Sequence, residues 1–384
     1  METYCIFSAQ YLPTFGGVEQ YTENLANKLL EKGNKVIIVT SMKERTADKE
    51  ILDNGLIIYR LPTIQLINGR MPFTYYSRKW NRLKTLLKEY NITRVIIQTR
   101  LYTLSIMGMR FAKKNNIPCM TIEHGTSYVG MSNKLVQFFE IIYEKIMIKL
   151  AKKYCHTFCA VSKEGSIWLS KLGLPCSAVL YNSVDYKRIR EYLSNSFCED
   201  ISYSEQEGKE LTVVYVGRLI KEKGVNQLVQ AVEELCHSGK KIELIIVGDG
   251  PLFNELKKGN FKSVILTGRL SQKEVMEVLR RSDVFCLPSD SEGFPTSVLE
   301  SILCKTYVIT APYGGAKEII VSKEYGLVMQ DNTCESIKKG ILEAINLGED
   351  RHRIEENVYK RFMDEFTWDN TCNTLEKLQW GARR

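Results

Sequence analysis

Three observations predict two doubly wound α/β domains from this sequence. Short apolar runs rich in Val and Ile recur along the chain, each bounded by Gly, Pro or polar residues and followed by a longer amphipathic segment. Runs of that kind are strands buried on both faces, which implies parallel sheets joined by crossover helices. The chain has 384 residues, more than the roughly 250–300 that one hydrophobic core holds, so two cores are expected. Finally, Ser194–Glu210 (SNSFCEDISYSEQEGKE) is polar and aperiodic, the signature of a linker between them.

In order, the first half is expected to carry strands at Thr3–Ser8, Lys35–Thr40, Arg94–Gln98, Pro118–Ile122, Thr157–Val161 and Ala178–Leu180. Helical periodicity runs over Val18–Leu30 and Lys134–Lys153. The second half repeats the alternation, with strands at Thr212–Val216, Glu243–Val247, Val264–Thr267, Val284–Leu287 and Tyr307–Thr310. A last helix follows Thr367, with Trp368, Leu375 and Leu378 spaced to face a core. The expected division is residues 1–193, a linker over 194–210, a second domain over 211–364, and a terminal helix over 365–384. In open α/β sheets ligands bind beyond the carboxyl ends of the strands, so the loops after strands should hold the chemistry, facing a cleft.

Composition narrows the class. The formal net charge of +8 suits a phosphate-bearing partner, and equally a merely soluble basic surface. The 11 cysteines are scattered, with no C-x-x-C pair, and only four histidines occur, so neither a disulfide framework nor a metal site is expected. Cys5, Cys159, Cys286 and Cys304 read as small core residues of a reducing compartment. Neither a signal peptide nor an apolar stretch of roughly 18 residues is apparent, so a cytoplasmic protein, peripheral at most on the inner membrane face, is expected. The Lys134–Lys153 helix mixes apolar and basic residues, as either a buried domain helix or one lying on an anionic bilayer does.

The loops after the strands carry the candidate chemistry. Gly16 and Gly17 precede the first helix, where backbone amides and the dipole attract an anion; a plain tight turn uses the same residues. The G-x-G-x-x-G fingerprint of a dehydrogenase is absent. His124, in Glu123-His124-Gly125, stands at the end of a strand, where an imidazole can hydrogen-bond a hydroxyl or, ionised, offset charge; a structural histidine explains it too. Gly217-Arg218-Leu219-Ile220-Lys221-Glu222-Lys223-Gly224 opens the second domain with two cations on one loop, able to clamp a diphosphate, Arg as a fork and Lys as a point charge. Gly248–Leu252 (GDGPL) is mostly a tight turn. Glu292-Gly293-Phe294-Pro295-Thr296-Ser297-Val298-Leu299-Glu300 is the richest loop: carboxylates accept the paired hydroxyls of a pyranose or ribose, and the helix-start amides can meet phosphate. For Glu300, placed in the first helical turn, Ser297-x-x-Glu300 is a competing capping box. Gly314 and Gly315 look like a second, weaker backbone cradle.

Together these loops resemble glycosyltransferase family 4, retaining enzymes of the GT-B fold (two Rossmann-like domains facing a cleft), and the likeness spans most of the chain in the family's motif order. GGVE at Gly16, GRLIKEKG at Gly217, GDGPL at Gly248 and EGFPTSVLE from Glu292 to Glu300 carry it; NSVD at Asn182 has Ser183 where the family has glycine. The resemblance implies a nucleotide-diphosphate sugar as donor substrate, with Arg218 and Lys223 on its diphosphate, Glu292 on its sugar and Glu300 on its ribose. Gly16 and Gly17 would approach donor phosphate or acceptor, His124 would sit beside the reacting sugar, and the terminal helix over 365–384 would cross back to the first domain. His124, Arg218, Lys223 and Glu292 are thus the candidate catalytic residues. The candidate donor-binding set is Gly16, Gly17, Gly217, Arg218, Lys223, Gly250, Gly293, Phe294, Pro295 and Glu300.

The expected reaction is transfer of a hexose or N-acetylhexosamine, with retained configuration, to a hydroxyl of a saccharide or lipid-linked saccharide. The family's use in bacterial surface polysaccharide synthesis makes that pathway the expected setting. No metal or other cofactor is expected, because two cations can neutralise the leaving group. A sugar-nucleotide epimerase and a phosphorylase on the same fold are rivals, the latter lacking an identifiable pyridoxal lysine. A catalytically silent sugar-nucleotide-binding subunit is a rival of another class. Nucleic acid is not an expected partner, since no RRM, KH or helix-turn-helix signature accompanies the charge.

Overall fold

The computed structural model describes residues 1–13, 16–43, 46–66, 71–126, 134–194, 211–259, 261–290 and 292–380, with backbone alone for 66 and 134–140. It divides into two compact units, one of Met1–Asn182 with Trp368–Arg384 and one of Ser183–Thr367.

Unit 1 begins with β1 (Thr3–Ser8), α1 (Gly17–Glu31), β2 (Lys35–Ser41), β3 (Lys49–Ile51), β4 (Ile57–Leu61), β5 (Thr63–Leu66) and β6 (Met71–Thr74). It continues with α2 (Arg78–Glu89), β7 (Arg94–Gln98), α3 (Thr103–Lys114), β8 (Cys119–Glu123), α4 (Lys134–Tyr154), β9 (Thr157–Ala160), α5 (Lys163–Lys171) and β10 (Cys176–Val179). The sheet order is β10-β9-β8-β7-β1-β2-β4-β3, with β3 antiparallel to β4 at the edge and every other pairing parallel. All six residues of β1 are buried, as a strand covered on both faces requires. Phe7, Trp80 and Phe111 pack with ring centroids 6.2–6.5 Å apart in its core. Beyond the expected strands, the sheet contains β3 and β4, and β5 and β6 form a separate antiparallel hairpin.

Unit 2 contains α6 (Tyr186–Ser194), β11 (Leu211–Val216), a 3₁₀ turn at Lys221–Lys223, α7 (Val225–His237), β12 (Ile242–Val247), α8 (Phe253–Lys258), β13 (Val264–Gly268) and α9 (Gln272–Arg281). Then come β14 (Val284–Leu287), α10 (Thr296–Leu303), β15 (Tyr307–Thr310), α11 (Ala316–Ile319), β16 (Leu327–Val328), α12 (Cys334–Leu347) and α13 (Asp350–Glu365). Its all-parallel sheet runs β13-β12-β11-β14-β15-β16. The order reverses between β11 and β14, the kind of switch point at whose carboxyl ends open α/β sheets have their binding crevice. The same reversal occurs between β1 and β7 in unit 1. The last helix, α14 (Trp368–Lys377), belongs to unit 1 and packs on α1 through Lys28–Asp369 (2.8 Å), Lys32–Glu376 (2.7 Å) and the Tyr21–Trp368 ring contact (5.0 Å).

The expected boundary at 193/194 is corrected: the chain passes into unit 2 at Ser183 and leaves it after Thr367 rather than at 364. Helix α6 packs on α9 and α10, burying Ile189 completely, and its Arg190 Nε reaches the Tyr359 hydroxyl at 3.1 Å. Ser183 Oγ donates to the Phe366 carbonyl at 2.6 Å, tying the first residues of unit 2 to its last. The polar composition break marked only the stretch after α6; the packed face of α6 decides where it belongs. Apart from Ser194, which closes α6, the expected linker lies outside the described residues. Cys5, Cys159, Cys286 and Cys304 are buried free thiols.

Candidate active site

In unit 2 the loop after β11 is shaped by contacts that only glycine permits. Tyr215 Oη donates to the Arg218 carbonyl at 2.9 Å, and a side chain on Gly217 would meet that hydroxyl at 2.8 Å. Gly224, at φ 69°, lies so close to the next loop that a Cβ there would stand 2.1 Å from the Pro288 carbonyl oxygen. That approach brings the loops after β11 and β14 together across the crevice. The Asp290 amide donates to the Glu222 carbonyl at 2.9 Å.

Within this frame Lys223 Nζ donates to Glu292 Oε1 as a largely buried ion pair. Arg218 is exposed on the same loop as Lys223. Both Arg218 and Glu292 act on the Tyr215 phenol: its pKa is raised chiefly by burial, raised further by the Glu292 charge and lowered by Arg218. Lys223 and Glu292 thus meet across the two loops, and Arg218 stands on the loop of Lys223.

Gly314 and Gly315, the weakest sequence signal, hold this loop in place. A Cβ on Gly314 would stand 2.2 Å from the Glu292 carbonyl oxygen, and the Gly315 amide donates to the Gly293 carbonyl at 2.9 Å. Gly248 and Gly250 serve the other side, against the carbonyls of Gly217 and Leu219. Gly250 thus supports the loop of Arg218 through its backbone. Phe294 is buried, with its ring 5.7 Å from that of Phe366, so its side chain is core and only its backbone is available to a ligand.

The competing capping box is not formed. Pro295 is the N-cap of α10 and carries no side-chain cap bond, so Ser297 is already inside the helix and Glu300 lies in the second turn rather than the first. The fixed φ of proline ends the extended loop there, and the helix starts at the next residue. Glu300 is released from capping. It is partly buried, hydrogen-bonds Gln272, and burial pushes its carboxyl up to about 7, with the Gln272 bond pulling the other way.

In unit 1, Gly16 caps α1 in an extended conformation, and a Cβ on it would stand 2.5 Å from Glu19 Oε2. The first turn of α1 thus already holds a buried carboxylate beside Gly16, while the Cβ position of Gly17 is open space. His124 follows β8. Burial drives its imidazole down to about 4 against the opposing Glu123 charge, so it is neutral near pH 7. Its Nε2 lies 2.7 Å from Gln98 Oε1, and the Tyr21 ring meets it edge-on at 4.8 Å.

Beneath His124 is a buried triad with no sequence signal. Arg100 pairs with Glu123 through Nη1 and with Glu144 through Nη2 (2.9 Å), all three nearly inaccessible. Residues 100, 123 and 144 come from three separate segments, so only the packing of α4 on this end of the sheet brings them together.

The family model "Glycosyl transferases group 1" matches residues 199–361, and "Glycosyltransferase Family 4" matches residues 15–188. An uncharacterised glycosyltransferase of Methanocaldococcus jannaschii is 27% identical, covering 97% of each chain. One component of the human phosphatidylinositol N-acetylglucosaminyltransferase is 24% identical over 97% of this chain and 75% of its own. Among solved structures, sucrose-phosphate synthase from Thermosynechococcus elongatus aligns with TM-score 0.74 at 16% identity over 98% of both chains. Anabaena HepE, solved in complex with UDP, aligns with TM-score 0.73 at 15% identity over 98% of this chain and all of its own. At those identities the structures establish the fold, GT-B, alone.

Proposed function

Since the chain belongs to the group 1 glycosyltransferases of family 4, we propose that it moves a hexose or N-acetylhexosamine from a nucleotide-diphosphate sugar to a hydroxyl of a saccharide or lipid-linked saccharide, with retained configuration. The observation that carries this reading is the meeting of Lys223 and Glu292, on and across from the loop that also carries Arg218, at the switch point of unit 2. A diphosphate entering the crevice takes the ammonium and guanidinium as charge partners. The Glu292 carboxylate, released from Lys223, accepts sugar hydroxyls. Glu300 in its ionised form accepts from the ribose.

As the glycosidic bond lengthens, charge gathers on the departing diphosphate. Preorganised cations stabilise that charge more than the ground state, which is the condition for rate enhancement. The acceptor hydroxyl attacks from the face the diphosphate leaves, which retains configuration without a covalent intermediate. Arg218 and Lys223 supply the neutralisation that a divalent metal would otherwise provide, so the rate is expected to survive EDTA.

The setting proposed is surface polysaccharide assembly at the inner face of a cytoplasmic membrane. The human relative's name supports an N-acetylhexosamine and a lipid acceptor. In α4, Ile142 and Ile146 are exposed in one stripe with Lys149 and Lys153, opposite the buried Met147 and Ala151. Glu144 is the one acid between residues 141 and 154, and it is buried on Arg100. That exposed face suits an anionic membrane surface. Among the described residues no helix is long and apolar enough to cross a membrane.

The test is a panel of radiolabelled nucleotide sugars with membrane and oligosaccharide extracts. Label must leave the nucleotide only when acceptor is present and appear in a saccharide product. Acceptor-independent conversion to an isomeric nucleotide sugar would establish the epimerase reading instead. Tight donor binding with no turnover on any extract would establish a silent binding subunit.

A further inference from the structure

The last residue of β7, Gln98, pairs in register with Ile122, two residues before His124, so the two side chains meet where neighbouring strands end. Gln98 is completely buried. Its Oε1 faces His124 Nε2 at 2.7 Å while its own buried Nε2 makes no hydrogen bond among the described residues; in this orientation of the amide the oxygen only accepts, and the ring nitrogen facing it carries the proton. The other ring nitrogen, Nδ1, then holds a lone pair, and it has no hydrogen-bond partner among the described residues.

The surroundings hold this geometry from both sides. Thr99, immediately after Gln98, sits at φ 58°, a left-handed conformation that is costly for a β-branched residue. The turn sends Arg100 into the core onto Glu123 and Glu144. Glu123 Oε1 in turn accepts the amides of His124 (3.2 Å) and Gly125 (3.3 Å), fixing the backbone that carries the ring. Tyr21 covers one edge of the imidazole and spends its own hydroxyl on the Leu180 carbonyl at 3.1 Å, so it does not compete for Nδ1.

We propose that Gln98 is a positioning residue that locks His124 as its Nε2–H tautomer, so that Nδ1 recognises a substrate group able to donate a hydrogen bond, a hydroxyl rather than a carbonyl or fluorine. For its substrate the inference rests on the glycosyl-transfer reading; for the tautomer it does not. The groups facing the ring are Glu123, Gln98 and Tyr21. The low pKa of His124 keeps the ring neutral from about pH 5 to 8, so the tautomer is what matters there.

The experiment is long-range proton–nitrogen NMR of the full chain labelled with ¹⁵N-histidine. With four histidines, His124 is assigned by the signal lost in His124→Gln. The expected spectrum at pH 7 shows a protonated Nε2 and a lone pair on Nδ1. Gln98→Glu keeps an acceptor and should keep both the tautomer and transfer at pH 8, within about threefold, while its charge raises the imidazole pKa and adds an acid limb to the rate profile. Gln98→Met offers no acceptor and should give mixed tautomers with transfer down about tenfold. A proton on Nδ1 in the native chain, or an unchanged tautomer in Gln98→Met, overturns the proposal. Native transfer by His124→Gln overturns the hydroxyl-recognition half alone. A native chain that turns over no donor sinks the transfer reading, and the spectrum still decides the role of Gln98.

Discussion

Lys223 and Glu292, 69 positions apart, form an ion pair across the crevice between the loops of β11 and β14. The pair holds an ammonium and a carboxylate together, both partly buried. Under the proposed function a donor is expected to meet this pair preformed, and its binding to exchange one set of charge partners for another.

Removal of either partner should separate their roles. Lys223→Ala is expected to cut turnover by about 10²–10³-fold, the scale of losing one preorganised charge at a developing anion. Glu292→Gln should weaken catalysis by a smaller factor, with part of the loss in KM for the donor. The double variant should lose less than the product of the two, because the residues are in contact. Steady-state kinetics on the three variants checks this; native activity of Lys223→Ala removes it from the mechanism.

If Glu300 holds the donor as proposed, donor binding is expected to depend on pH near neutrality. Its carboxyl titrates at about 7 because of burial, and the protonated form is a poor bidentate acceptor. Donor affinity should rise severalfold from pH 6 to 8 in the native chain and stay flat in Glu300→Gln, as read by calorimetric titration. The stability sign is opposite. Between the ordinary 4.5 and about 7 the folded state binds more protons than the unfolded one, so the native chain loses stability as pH rises through that window. Glu300→Gln should therefore melt higher at pH 8, by about 1–2 kcal/mol.

Two glycine substitutions should behave oppositely. Gly224→Ala places a Cβ against the Pro288 carbonyl at φ 69° and should destabilise by about 2–4 kcal/mol while loosening Lys223. Gly17→Ala meets no atom within 4 Å and should stay within about 0.5 kcal/mol of native stability. A loss of activity in Gly17→Ala then reports ligand approach to the start of α1; urea melts beside transfer assays distinguish the cases.

The exposed stripe of α4 predicts lipid selectivity. The native chain should sediment with vesicles containing phosphatidylglycerol, release them at high salt, and ignore pure phosphatidylcholine. Lys149→Glu with Lys153→Glu should weaken binding at least tenfold, at about 1 kcal/mol per charge near the surface. Ile142→Ser with Ile146→Ser should weaken it without altering the salt dependence. Equal binding to neutral and anionic vesicles would remove the electrostatic contribution.

Much of this molecule was legible in one dimension. The phase of apolar residues is a local property, so the eleven runs expected as strands fall on observed strands, and the glycine-rich and charged loops fall after them. Edge strand β3 and the β5–β6 hairpin escaped because short, partly exposed segments lack a buried run, and β16 is only two residues long; β4 (Ile57–Leu61) was missed although four of its five residues are buried. The Ser297-x-x-Glu300 pattern misled because Pro295, two residues earlier, starts the helix first.

The sequence by itself determined two alternating α/β units and the order of their motif loops, since strand and helix periods are written residue by residue. Tertiary structure alone decided which side chains meet: Lys223 with Glu292, Gln98 with His124, and Arg100 with Glu123 and Glu144. It also assigned α6 to the second unit rather than the first. These outcomes depend on strand order and on the faces helices bury, which are set by contacts between distant segments and leave no periodic trace along the chain.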